Sequence, residues 1–201
     1  MTIKSSVKDI ELIEKRRKQI IQSAIVLFQE KGFHRTTTRE IAKESGFSIG
    51  TLYEYVRTKE DVLFLVYEAI NDRVYNHLET SLKLEEPSLD NLYIAIDSYY
   101  RLIDTMQEEV VILYQEVKSL DPYSRESILE KERQMVGILR DALFSCMPEG
   151  YNKQRAELLA NNIFVQGQMW GFRRWILRKK FSLDEYIEYQ IDLLKSSLND
   201  H

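Results

Sequence analysis

Apolar residues recur along this chain at spacings of three and four, in one segment after another, and the gaps between segments hold residues that end helices. From Ile10 to Lys31 the stripe is Ile20, Ile21, Ala24, Leu27 and Phe28, one face of a helix that Gly32 stops. From Glu60 to about Lys83, Val62, Leu63, Val66, Ala69, Ile70, Val74 and Leu78 repeat the pattern. Glu85-Glu86-Pro87 breaks that helix and Ser88 can cap the next. Five further segments follow, over about 88–106, 109–120, 123–146, 152–179 and 183–198. Their breaks fall at Asp121-Pro122, Pro148-Glu149-Gly150 and Phe181-Ser182. Three prolines and seven glycines in 201 residues suit long helices better than a loop-rich β protein, so the expected fold class is all-α.

Between the first two long helices the pattern tightens. Thr37 is followed at Glu40 by the partner of a capping box, in which each side chain satisfies the other residue's backbone amide. Ile41 and Ala42 give a small apolar face. Gly46 stands where a helix ends in the left-handed conformation, which glycine adopts without a Cβ penalty. Phe47 follows as a plug, and Ser48 is a good N-cap. In the helix it opens, Ile49, Leu52 and Val56 share one face, which leaves Gly50, Thr51, Glu54 and Tyr55 outward and Tyr53 at the edge. Glycine in a helix interior costs about 1 kcal/mol relative to alanine. It is explained if something must approach the backbone closely, and DNA is a candidate: Thr can meet a base edge or a thymine methyl, and Tyr hydroxyls can reach phosphates. A generic helical hairpin remains the competing reading of the pattern alone.

Charge divides in the same sense. Residues 1–60 carry twelve Lys and Arg against eight Asp and Glu, a balance of +4, and the remainder carries −8, which together give the net −4. A basic front and an acidic back suit contact with phosphate on one side. Lys4 and Lys8 could follow a DNA backbone, or belong to a frayed tail. Lys15, Arg16, Arg17 and Lys18 could form a DNA-facing patch or a solvated helix face.

The residues Phe28-Gln29-Glu30-Lys31-Gly32-Phe33, then Thr37-Thr38-Arg39-Glu40-Ile41-Ala42, then Gly46 through Val56, then Lys59-Glu60-Asp61-Val62-Leu63, resemble in that order the DNA-binding domain of the TetR family of bacterial regulators, over about residues 14–74. The resemblance implies a tail over 1–13 and a three-helix helix-turn-helix domain over 14–74, its motif at about 37–56. It implies a helical ligand-binding and dimerisation domain over 75–201. It places Thr38 and Arg39, with the neighbouring Thr37, against the DNA backbone or a base. It sets Ser48, Ile49, Gly50, Thr51, Tyr53 and Tyr55 on the recognition helix, and Lys59 against a phosphate. It also implies a homodimer through the last two helices and a repressor released from a double-stranded operator by a small molecule. A dimer has an independent reason: one recognition helix reads few bases, and two are needed about 34–36 Å apart, or a multiple of that, on a near-palindrome. The helix from Glu60 is the natural link between the two domains.

For the effector, the rear domain offers aromatic and Met side chains that suit a mainly apolar ligand, though any one of them could be ordinary core. The candidates are Tyr67, Tyr99, Met106, Tyr114, Gln166 and Trp170, with Arg173 and Arg174 from a run of five basic residues between Trp170 and Lys180. Such a run could hold an anionic head group, or simply stabilise a helix C-terminus. This segment is similar to family members that respond to acyl-CoA thioesters; a drug-like amphiphile controlling an efflux gene is the alternative. Gly167 and Gly171, four apart, allow a neighbouring element to approach closely.

Enzyme chemistry finds little purchase. His34, His77 and His201 lie far apart without metal-ligand spacing, and there is no phosphate-binding glycine loop or nucleophile elbow. No catalytic residue, metal or cofactor is expected. The single cysteine, Cys146, reads as a small core residue in a reducing compartment. Without an eighteen-residue apolar run or a signal sequence, the expectation is a cytoplasmic protein with no membrane partner. Two other classes stay open: a helical lipid-binding or adaptor protein that does not act on DNA, and an architectural DNA-binding protein without an effector.

Overall fold

The computed structural model describes residues 9–83 and 87–199, and Lys4, Lys8, Glu85, Glu86 and His201 lie outside them. Among the described residues the regular elements are helices: α1 (Ile10–Lys31), α2 (Thr38–Glu44), α3 (Ile49–Tyr53), α4 (Lys59–Ser81), α5 (Leu89–Thr105), α6 (Gln107–Glu116), α7 (Pro122–Ser145), α8 (Lys153–Phe172), α9 (Arg174–Leu177) and α10 (Leu183–Asn199), with a 3-10 turn at Val117–Ser119.

The chain forms two compact units. One takes in the chain up to Asn71 together with Ile112–Leu129; the other takes in Asp72–Val111 and the chain from Glu130 onward. The segment Ile112–Leu129 therefore packs with the front of the chain, although the expected second domain over 75–201 contains it. Two contacts show why. Tyr67, buried on α4, donates its hydroxyl to the Leu113 carbonyl, and His34 Nε2 lies 3.5 Å from a Glu116 carboxylate oxygen. These pairings join residues far apart in sequence, which helical periodicity cannot reveal.

In the first unit α2 packs on both α1 and α3, and the three helices bury Ile20, Ala24 and Phe28 of α1, Ile41 and Ala42 of α2 and Leu52 of α3. Phe28 and Phe33 meet edge-on at 5.3 Å between ring centroids, a favoured aromatic geometry.

In the second unit α5 lies along α8, and α10 packs on α5. A Cβ on Gly167 would lie 2.6 Å from the Tyr99 ring and 2.9 Å from the Tyr100 ring, so the two tyrosines occupy the space that any side chain would need. A Cβ on Gly171 would lie 3.3 Å from Val110. The close approach expected of these glycines is present. Tyr99 stacks on Phe164 at 6.0 Å, and Trp170 lies 4.9 Å from Tyr186. The Tyr99 hydroxyl donates to the Phe164 carbonyl at 2.9 Å and that of Tyr100 to the Ile163 carbonyl at 3.1 Å. Burial pushes the Tyr100 hydroxyl pKa up, and the negative charge of an ionised Tyr186 would raise it further.

The expected helix over 152–179 is two helices. It breaks at Arg173, whose backbone (φ −106°, ψ 22°) leaves the α region, and α9 begins at Arg174.

Candidate functional site

The stretch from Thr37 to Lys59 folds as a helix-turn-helix, and its caps are those the sequence announces. The Glu40 amide donates to Thr37 Oγ1 at 3.3 Å, and the Thr37 amide donates to Glu40 Oε2 at 2.9 Å. Glu40 also pairs with Lys31 at the end of α1. That ammonium, with the Thr37 hydroxyl and amide, holds the Glu40 carboxyl down at about 2. Gly46 takes φ +73° in the turn. Ser48 Oγ accepts from the Thr51 amide at 3.0 Å and lies 2.9 Å from the Thr51 hydroxyl.

Two basic residues of α1 brace this motif from behind. The Arg16 guanidinium sits 5.0 Å from the Phe47 ring centroid, and Arg17 donates to the Tyr55 carbonyl at 3.4 Å. Lys59 plays a similar part. Its ammonium donates to the Phe33 carbonyl at 2.9 Å and the His34 carbonyl at 3.3 Å, and lies 4.3 Å from the Phe33 ring centroid. It thereby ties the start of α4 to the loop before α2.

The outward face is formed by Thr37, Thr38 and Arg39 from α2 and its cap, and by Ser48, Gly50, Thr51 and Tyr53 from α3 and its cap. Thr38 Oγ1 and the Tyr53 hydroxyl are 3.3 Å apart, so the first turn of α2 and the end of α3 present one surface. Tyr53 is 50% exposed. Ile49 is half-buried. A Cβ on Gly50 would meet nothing nearer than Ser48 Oγ at 3.7 Å, and its φ is not positive. Nothing inside the fold requires glycine there.

Tyr55 does not belong to this face. It is buried, its ring 6.5 Å from that of Phe47. The recognition helix was expected to run through Val56, but regular α-helix ends at Tyr53. The amides of Glu54 and Tyr55 bond to the carbonyls three residues back, at Thr51 and Leu52. A tightened turn of that kind eclipses side chains three apart, which carries Tyr55 to the side of buried Leu52.

The expected effector residues do not form one cavity. Tyr99, Met106 and Trp170 are fully buried in the second unit's core, and Tyr67 and Tyr114 belong to the first unit. Arg174 is ion-paired with Glu108. Asp104 Oδ1 accepts from the Trp170 indole at 2.7 Å, from Arg178 at 2.8 Å and from the Gln107 amide at 2.7 Å, which fastens α9 to the corner between α5 and α6. Of the expected set, Gln166 and Arg173 line a groove of about 910 Å³ along α8, α9 and α10. Its other walls include Met169, Ile176, Leu177, Phe181, Tyr189 and Leu193. Sequence reading missed Tyr189 and Leu193. The available signal was that both are large and largely apolar yet lie off the stripe Ile187, Ile191, Leu194 and Leu198, of which α10 buries Ile187, Leu194 and Leu198. Among the described residues no group of three or more His, Cys, Asp or Glu side chains is gathered that could hold a metal ion, and no helix is long and apolar enough to cross a membrane.

This architecture defines a helix-turn-helix protein with a second helical unit. Residues 20–66 match the family described as bacterial regulatory proteins, tetR family, and residues 85–175 match the tetracyclin repressor-like C-terminal domain. The chain is 30% identical over 194 residues to the HTH-type transcriptional regulator HbdR of Aromatoleum sp. (strain CIB), covering 96% of this chain and 85% of that protein. The chain belongs to the TetR family of transcriptional regulators. It is also 22% identical over 184 residues to the fatty acid metabolism regulator protein of Bacillus subtilis (strain 168), across 90% of this chain and 95% of that one. In fold it is similar to the transcriptional regulator FadR from Bacillus subtilis in complex with stearoyl-CoA, with a TM-score of 0.71 at 20% identity over 92% of this chain and 98% of that chain.

Proposed function

We propose that this regulator is a homodimeric repressor that holds a near-palindromic operator and leaves it when a small, mainly apolar effector binds the second unit. One observation carries the DNA contact: Gly50 has no internal reason to be glycine and lies on the surface that Thr38 and Tyr53 share. Thr37, Thr38, Arg39, Ser48, Gly50, Thr51 and Tyr53 are the proposed contacts, with Ile49 at the edge. The third hydrogen of the Lys59 ammonium, beyond the two that bond to backbone carbonyls, is offered to a phosphate.

The apolar side chains left bare on the last helices support a twofold dimer. Leu158 of α8 is 61% exposed, and Tyr189 and Leu193 of α10 are 56% and 63% exposed. Covering them against a second copy removes apolar surface from water and pairs two recognition helices for two half-sites. An acyl-CoA thioester is the first candidate effector, supported by the fatty acid metabolism regulator among the relatives and by the stearoyl-CoA bound to the structural neighbour. A drug-like amphiphile controlling an efflux gene is the second. Swinging the protein from mostly bound to mostly free requires the effector to favour the released state by about 5.5 kcal/mol for a full 1:99 to 99:1 change.

The test is stoichiometry and release on an isolated genomic site. Two chains per near-palindrome, displaced by palmitoyl-CoA, are expected. A monomer on DNA, or a complex indifferent to acyl-CoA and to amphiphilic cations alike, would overturn the dimeric, effector-released reading.

A further inference from the structure

We propose that the dimer selects its second copy by charge: Arg173 and Lys180 of one copy pair with Glu188 and Asp192 of the other, which fixes the register of the two chains and favours a second copy over a neutral or basic helix. This rests on the dimeric reading above and gives a role to the cations of that face.

Arg173 and Lys180 stand apart from their neighbours. Arg174 is paired with Glu108 and Arg178 with Asp104, so both are engaged within their own chain. Arg173 and Lys180 are exposed, line the groove along α8, α9 and α10, and have no acidic partner among the described residues. The same groove is lined by Tyr189 and Leu193, the apolar side chains that a second copy covers.

The complement to these cations is on α10. A helix turns by about 100° per residue, so residues four apart form rows along it. Tyr189 and Leu193 make an apolar row. Glu188 and Asp192, each one residue earlier, make an acidic row beside it, and all four side chains are exposed. The other two acids of α10 are engaged locally: Asp184 accepts from Arg101 at 2.7 Å, and Glu185 accepts from the Ser182 amide at 2.8 Å. Glu188 has no basic partner among the described residues, and Asp192 lies 3.4 Å from the exposed Lys195.

Covering the groove strips water from Arg173 and Lys180, and the cost is offset only if carboxylates arrive with the covering helix. A second copy brings them beside Tyr189 and Leu193, and twofold symmetry makes each pairing occur twice. A slip that set acidic row against acidic row is repelled, so the charges exclude wrong registers as well as wrong partners.

The experiment is sedimentation equilibrium of the full chain, with native mass spectrometry of mixtures. The parent is compared with Arg173→Glu/Lys180→Glu, with Glu188→Lys/Asp192→Lys, and with Lys179→Glu, an exposed basic neighbour outside the groove. The expected result is a parent dimer, weakened tenfold or more in each double variant and unchanged in Lys179→Glu. An equimolar mixture of the two double variants should form the heterodimer in preference to either homodimer, because both sets of pairs are then restored. Should a double variant lose helix by circular dichroism, the parent decides: its dissociation constant should rise between about 0.05 and about 0.5 M NaCl, and a constant that does not rise overturns the pairing. Unweakened dimers of either double variant, a mixture without heterodimer preference, or an equal loss in Lys179→Glu would also overturn the charge pairing and leave the dimer standing. A parent that is monomeric throughout would overturn the dimeric reading itself, and this inference with it.

Discussion

Thr38 Oγ1 and the Tyr53 hydroxyl lie 3.3 Å apart, and this pair joins the first turn of α2 to the end of α3 at the outward surface. Either oxygen can donate to the other, which leaves the remaining hydrogen-bonding capacity directed outward. Tyr53→Phe keeps the ring and removes the hydroxyl. Because the residue is half exposed, folding stability should change by no more than about 0.5 kcal/mol. A hydrogen bond to a charged phosphate is worth about 1.5–3 kcal/mol, so operator affinity should fall about tenfold or more. Fluorescence anisotropy at fixed salt, beside thermal melts, checks both halves.

Gly50→Ala separates folding from binding in the opposite way. A methyl group there meets only Ser48 Oγ at 3.7 Å, and alanine is the better helix former by about 0.5–1 kcal/mol. The variant should be slightly more stable and bind DNA more weakly. Denaturant unfolding with a DNA titration on the same sample tests this, and a variant that binds as well as the parent would remove the main reason for placing DNA against Gly50.

Gly167→Ala tests the core of the second unit. Its Cβ would stand 2.6 Å from the buried Tyr99 ring, and the ring cannot withdraw without giving up its bond to the Phe164 carbonyl. Overpacking of this kind costs about 1–3 kcal/mol. A lower melting temperature is expected, and a full-strength core would show that the tyrosines yield freely.

Acid should weaken the cap of α2. The Glu40 carboxyl is held at about 2, below the 4.5 of a free glutamate, by Lys31 and by Thr37. A depressed acid pKa means stability that is present above the unfolded value and lost as pH falls from about 4.5 toward 2. Melts across that window should show a steeper loss for the parent than for Glu40→Gln, whose cap does not titrate.

The local features of the proposed DNA face were legible in the sequence because they depend on neighbours within four residues. The Thr37–Glu40 box, the Ser48 cap and the left-handed Gly46 are of this kind. Tyr55 was misplaced because one tightened turn at Leu52–Tyr55 rotates a side chain from surface to core, and periodicity assumes that the helix continues. The phosphate role expected of Lys59 must share its ammonium with the Phe33 and His34 carbonyls, a long-range pairing with no local signal. The same holds for the basic run after Trp170. Asp104 and Glu108 decide which arginines stay free, and they lie 74 and 66 residues from Arg178 and Arg174 in the chain. The aromatic and Met richness of the second unit was visible, but whether such side chains enclose a cavity or fill one is decided by packing, and here Gly167 lets them fill it.

The most direct measurement is enrichment of genomic DNA fragments by the purified protein, read by sequencing, with Tyr53→Phe and Gly50→Ala run in parallel. One near-palindromic site, enriched by the parent and depleted in both variants, is the predicted result. Equal enrichment by all three proteins would contradict the assignment of the Thr38–Gly50–Tyr53 surface to DNA, and the absence of any enriched site at low salt would contradict operator binding itself.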